Sequence, residues 1–208
     1  MTFLPQMMKS ALHFDLTKSG LITALPWIAM TFSIQVAGHV TDWILKKGYM
    51  SLTSVRKLTI SIGFISQATF LFSAAMWISP GTTPIFIVLG ATFGGVALSG
   101  IVVNPLDIAP KYASVIYGIN NTFGTIPGII SPIITGYIVN DLTSVDQWKI
   151  IFYISSGIYL FGAITSIVFI TGVKQPWAET FASGRNDTEL TLINGKKEDE
   201  KETLNPTK

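Results

Sequence analysis

Cysteine is absent from this chain and histidine nearly so. Without cysteine there is no disulfide framework, no thiolate zinc site and no cysteine nucleophile. His13 and His39 are too few and too isolated for a histidine metal site. Charge is scarce too. Charged residues are 12% of the 208, against about 25% in an ordinary soluble domain. A large share of that charge lies in the tail from Gly172 onward, so the rest is poorer still. The apolar stretches hold no paired carboxylates, nucleophile–base set or metal cluster, which argues against an enzyme. No cofactor and no nucleic-acid partner is expected.

What the chain has instead is apolar residues in long runs. They make up 49% of it, and mean hydropathy is +0.50. A transmembrane helix needs about 20 mostly apolar residues. Five runs qualify: Leu21–Leu45, Lys57–Ile78, Pro84–Pro105, Tyr112–Val139 and Trp148–Gly172. The first is broken only by Gln35, His39 and Asp42, and the second by Gln67. Met1–Leu12 is apolar but too short to span. It lacks the basic start and small-residue cleavage site of a secretory signal, and reads as a partial helix whose beginning lies outside the chain. The expectation is an all-α membrane protein: a partial helix over 1–12, five spans over 13–173, and a disordered tail over 174–208. His13–Gly20, Lys46–Arg56, Ser79–Pro84 and Asn140–Gln147 read as connections.

Basic residues set orientation. One side holds seven: Lys46, Lys47, Arg56, Lys57, Lys111, Lys174 and Arg185. The other holds Lys9, Lys18 and Lys149. This places the basic loop and the C-terminal tail in the cytosol.

Helices in lipid pack through small residues, because apolar burial gives no drive between them. The third run carries Gly90, Ala91, Gly94, Gly95, Ala97, Ser99 and Gly100, and the fourth carries Gly124 and Gly128. Packing is the plain reading of both. The fourth run is also interrupted by Pro127 and Pro132. Asn120, Asn121 and Thr122 precede them, and consecutive amides in a span are costly unless they face protein or water. Asn121 and Thr125 are four apart and share a face. They suit a solute-binding stripe or interhelical hydrogen bonds. Asn104 and Asp107 at the end of the third run suit a gate or, for Asp107, a cap on the following turn. Asn120 and Asn186 head glycosylation sequons, one inside a span and one on the cytosolic side. Glu189–Ile193 falls one residue off an acidic dileucine sorting signal.

Gly38-His39-Val40-Thr41-Asp42, followed by a basic loop ending in Arg56-Lys57, resembles the G-x-x-x-D…R-[RK] loop of the major facilitator superfamily. There the glycine permits close helix approach and the Asp can pair with a basic residue. A longer resemblance runs through Phe3-Leu4-Pro5, Leu12-His13-Phe14 and Gly20-Leu21-Ile22-Thr23-Ala24-Leu25-Pro26. It continues with Val55-Arg56-Lys57, Asn104-Pro105-Leu106-Asp107-Ile108-Ala109-Pro110, and the stretch from Gly118 to Gly128. Trp148 to Tyr153 fits the start of the last helix. Together these are similar to the second half of the sialin / vesicular glutamate transporter / type I phosphate cotransporter family, over roughly residues 2–178. Pro105 stands where many members carry His, so that residue's role does not carry over.

The resemblance implies the C-terminal six-helix half of a twelve-helix transporter, with its first helix truncated. It implies secondary transport of organic or inorganic anions by alternating access, coupled to protons or sodium. Asn121, Thr125, Asn120 and Ser99 become candidates for substrate contact. Asp42, Arg56, Asn104 and Asp107 become candidates for the cytosolic gate. The partners implied are a small anion, the bilayer and the N-terminal transporter half, in a plasma, lysosomal or vesicular membrane. The alternative is a fragment or truncated isoform that does not transport and serves, if at all, as an interaction or regulatory partner.

Overall fold

The computed structural model describes residues 3–178. Residues 179–208, with Asn186 and the sorting-like stretch Glu189–Ile193, lie outside the described residues. Among the described residues there are six α-helices: α1 (Leu4–Ser10), α2 (Leu16–Lys46), α3 (Leu52–Met76), α4 (Thr82–Ile108), α5 (Ala113–Ile138) and α6 (Val145–Phe169). A 3-10 turn, Pro110–Tyr112, joins α4 to α5.

Four of these helices are long and apolar enough to cross a membrane: α2 from Gly20, α3, α4 and α6. The fifth expected span, α5, has the length, at 26 residues, and is not one of these four. Asn120, Asn121 and the two prolines lower its apolarity. Helix starts also differ from expectation. Ser51 caps α3, its hydroxyl accepting the Ser54 amide at 3.2 Å. The helix therefore begins at Leu52, and Arg56 lies within it rather than in a loop. α2 likewise begins at Leu16, inside the expected connection.

The bundle is built on α3, which packs along α4 and α6, while α2 packs on the other side of α4. Small residues make the approach possible. A Cβ on Gly63 would sit 2.5 Å from the Ala97 amide nitrogen, and one on Gly95 would sit 2.6 Å from the Met30 carbonyl oxygen. One on Gly100 would meet Ile60 at 2.8 Å. Packing is therefore the role of Gly63 on α3 and of Gly95 and Gly100 on α4. Ser33 fixes α2 to α4 by donating to the Thr92 carbonyl at 2.6 Å.

The glycines of α5 behave differently: Gly118, Gly124, Gly128 and Gly136 have nothing within 4 Å of a built Cβ. α5 touches the bundle mainly near its ends, where Ala113 and Thr135 are buried. α1 ends at Ser10 with its cap residue Ala11 in the right-handed region, and the chain turns at His13, which is left-handed with φ of 56°. The Phe14 amide then returns to the Met8 carbonyl at 3.0 Å. This seats Met7 and Met8 in a cluster with Leu12, Ile87, Val139 and Trp148.

Candidate functional site

The helices run so that the ends of α2 and α4, the starts of α3 and α5, and the segment after α6 share one end of the bundle. Lys46, Lys47, Arg56, Lys57, Lys111 and Lys174 fall there. Three of the four expected gate residues meet neighbours at this basic end. Arg56 is 5% exposed. Its Nε donates to Asp107 Oδ2 at 2.7 Å and its Nη2 to Oδ1 at 3.3 Å. The planar guanidinium matches the carboxylate with two parallel bonds. Asp107 is thus one half of an interhelical ion pair and not a cap for the next turn. The end of α4 is closed instead by the Ala109 amide bonding the Pro105 carbonyl at 3.1 Å.

One turn earlier on α4, Asn104 donates from Nδ2 to the Thr171 carbonyl at 2.7 Å. The chain after α6 is held from two more sides. The Gly172 amide donates to Thr53 Oγ1 at 2.9 Å, and the Gln175 amide to the Ile108 carbonyl at 2.9 Å. Trp177 lies against Tyr112, and Ala178 is 3% exposed. Residues 174–178 are therefore docked rather than disordered, because backbone donors find acceptors on α3 and α4. Asp42 does not join this group. It is exposed on α2, and Arg56 gives both of its described bonds to Asp107.

The expected solute residues divide. Asn120, Asn121 and Thr125 are all exposed in the middle of α5. Thr125 Oγ1 donates to the Asn121 carbonyl at 2.8 Å, which confirms that the two share a face. Ser99 is not with them. It is 7% exposed inside the helix packing, and its hydroxyl donates to the Val96 carbonyl of its own helix at 2.8 Å. Its smallness is what α4 uses.

A cavity of about 180 Å³ lies between α1, α3, α4, α5 and α6, and none of the expected site residues lines it. Its polar wall is Gln67, Ser131, Thr135, Ser155 and Tyr159. Gln67 hydrogen-bonds Tyr159 and packs so closely on Gly94 that a Cβ there would stand 2.6 Å from its Oε1. The sequence flagged Gln67 as the one strongly polar residue inside its run, but nothing local pointed to Tyr159 as its partner.

The profile described as Major Facilitator Superfamily matches residues 1–199. Vesicular glutamate transporter 1 of Bos taurus is 40% identical over 175 residues, which is 84% of this chain and 31% of that protein. Vesicular glutamate transporter 2.2 of Danio rerio is 37% identical, and vesicular glutamate transporter 2 of Homo sapiens 36%, over 84% of this chain and 30% of each of theirs. The chain thus spans about three-tenths of the length of these relatives.

Proposed function

Because the chain belongs to the Major Facilitator Superfamily, we propose that it is part of a secondary transporter of organic or inorganic anions of the sialic acid, glutamate and phosphate class. Protons or sodium drive it, and it works by alternating access. The observation that carries this reading is that Asn120, Asn121 and Thr125 stand exposed in the middle of α5, with Asn121 and Thr125 on one face. Amides and hydroxyls there donate to carboxylate or phosphate oxygens without fixing a counter-charge, so a bound anion is held and can still leave. The amides of Asn120 and Asn121 would not be stable against lipid. They belong against a water-filled path.

The Arg56–Asp107 pair has the second role. It ties α3 to α4 at the basic end, which faces the cytosol together with the C-terminal tail by the excess of Lys and Arg. The chain is then part of a multi-pass protein of a vesicular, lysosomal or plasma membrane. Relatives extend well beyond its length, and the remaining helices of a full transporter supply the other wall of the path.

A second reading is favoured by one observation. The α5 stripe and the neighbouring Gly124 and Gly128 face open space. On its own, the 208-residue chain leaves that wall unmade, and so acts as an interaction partner rather than a transporter. Uptake assays separate the two. The chain alone in proteoliposomes should give no anion uptake. A chimera in which it replaces the matching 175 residues of bovine vesicular glutamate transporter 1 should take up anion. Uptake absent from the chimera, at normal abundance, would overturn the transport reading.

A further inference from the structure

α2 has three faces. Pro26, Ser33 and Thr41 are buried on the side packed on α4. Phe32, Val36 and Val40 form an exposed apolar side suited to lipid. Between these, and pointing away from the bundle, Thr31, Gln35 and His39 follow one another at four-residue intervals, with Asp42 three further on. All four are exposed. Thr31 satisfies its hydroxyl on the Trp27 carbonyl at 2.8 Å, but the Gln35 amide and the Asp42 carboxylate lie on the open surface of a helix that is otherwise long and apolar enough to span. A stripe of this kind is not a lipid face.

His39 Nδ1 lies 2.7 Å from the Gln35 carbonyl oxygen. A carbonyl only accepts, so Nδ1 carries the hydrogen. In the neutral ring this leaves the Nε2 lone pair unused and directed outward, the arrangement in which the bond at one ring nitrogen sets the role of the other.

We propose that this face of α2 is wetted, and that His39 is a proton-binding site on it, loading through Nε2. The ring takes a proton from a hydronium ion, whose O–H bond breaks to leave water, and becomes imidazolium. No other bond changes, and the proton leaves by the same nitrogen. Asp42 lies one turn on, on the same face. The other charges on α2 at this end are Lys46 and Lys47. Of the elements packed on α2, α3 brings Arg56 and Lys57, α4 brings Asp107, and α1 brings Lys9 at the far end. Arg56 and Asp107 hold each other. The proposal rests on the transport reading only in its consequence, which is to choose the proton over sodium as coupling ion.

The test uses the chain as it is, in lipid nanodiscs with 15N-labelled histidine. It has only two histidines, so His39→Gln assigns the spectrum. The expected result is a neutral ring with hydrogen on Nδ1 and a bare Nε2 that protonates reversibly as the pH is lowered. A water-soluble relaxation agent should broaden the His39 ring signals several-fold more than a spin label on the acyl chains. A hydrogen resident on Nε2, a ring that does not titrate, or stronger broadening by the acyl-chain label would overturn the proposal. None of these readouts depends on uptake, so a transport-dead chimera and a failed proton site are separate results.

Discussion

Arg56 and Asp107 face each other across the basic ends of α3 and α4, Nε to Oδ2 at 2.7 Å, with side chains only 6% and 12% exposed. Removing one partner leaves the other charge buried. Asp107→Ala should therefore lower stability by about 3–5 kcal/mol, whereas Arg56→Leu with Asp107→Leu should lose much less, because no charge remains uncompensated. Reversible unfolding in mixed micelles measures both. An Asp107→Ala chain as stable as the parent would show that the pair is solvated and not structural.

The segment after α6 should depend on Gly172. A Cβ there would lie 2.8 Å from Leu52 Cγ and 3.0 Å from the Thr53 amide nitrogen. With no native cysteine to interfere, Ile108→Cys with Gln175→Cys should cross-link under mild oxidation. Adding Gly172→Leu should reduce the yield several-fold while helix content by circular dichroism stays the same. An unchanged yield would mean that the segment does not need the close approach.

Glycines of α4 and α5 should respond in opposite ways. Gly95→Ala places a methyl group against the Met30 carbonyl and should cost about 1–3 kcal/mol, as overpacking does. Gly124→Ala meets nothing within 4 Å and should be neutral or stabilising by up to about 1 kcal/mol, the helix preference of alanine over glycine. Thermal unfolding of the two variants in one detergent compares them directly.

How far these relationships could be read from the chain varies by kind. The long helices were legible because their apolar runs have no soluble explanation. Their starts were less so: Thr53 and Ser54 look like loop residues, but Ser51 caps a helix that already contains them. Packing by small residues was legible in α4, whereas among the described residues nothing lies within 4 Å of a built Cβ on Gly124 or Gly128 of α5, because spacing alone does not say whether a partner lies opposite. The Asp107 partner was not legible. Arg56 is 51 residues away in sequence, and Asp42 in the loop motif was the nearer acid. The docking of residues 174–178 left no local signal, since its bonds are mostly backbone donors meeting distant acceptors.

His13 should tolerate only residues at ease with positive φ. His13→Gly should leave α1 in place, whereas His13→Val should cost about 1–2 kcal/mol, because a left-handed backbone crowds a side chain. Hydrogen exchange at the Phe14 amide, which bonds the Met8 carbonyl, reports the outcome. Faster exchange is expected in the valine variant, and equal exchange in both would contradict the dependence of this turn on a left-handed residue 13.

The most direct test of the transport reading is anion uptake by the chimera carrying Asn121→Ala or Thr125→Val, measured at matched abundance in the membrane. If the α5 stripe contacts the solute, each variant should lower uptake about tenfold, the equivalent of about 1.4 kcal/mol. Full uptake in both variants would remove α5 from the path and contradict the account.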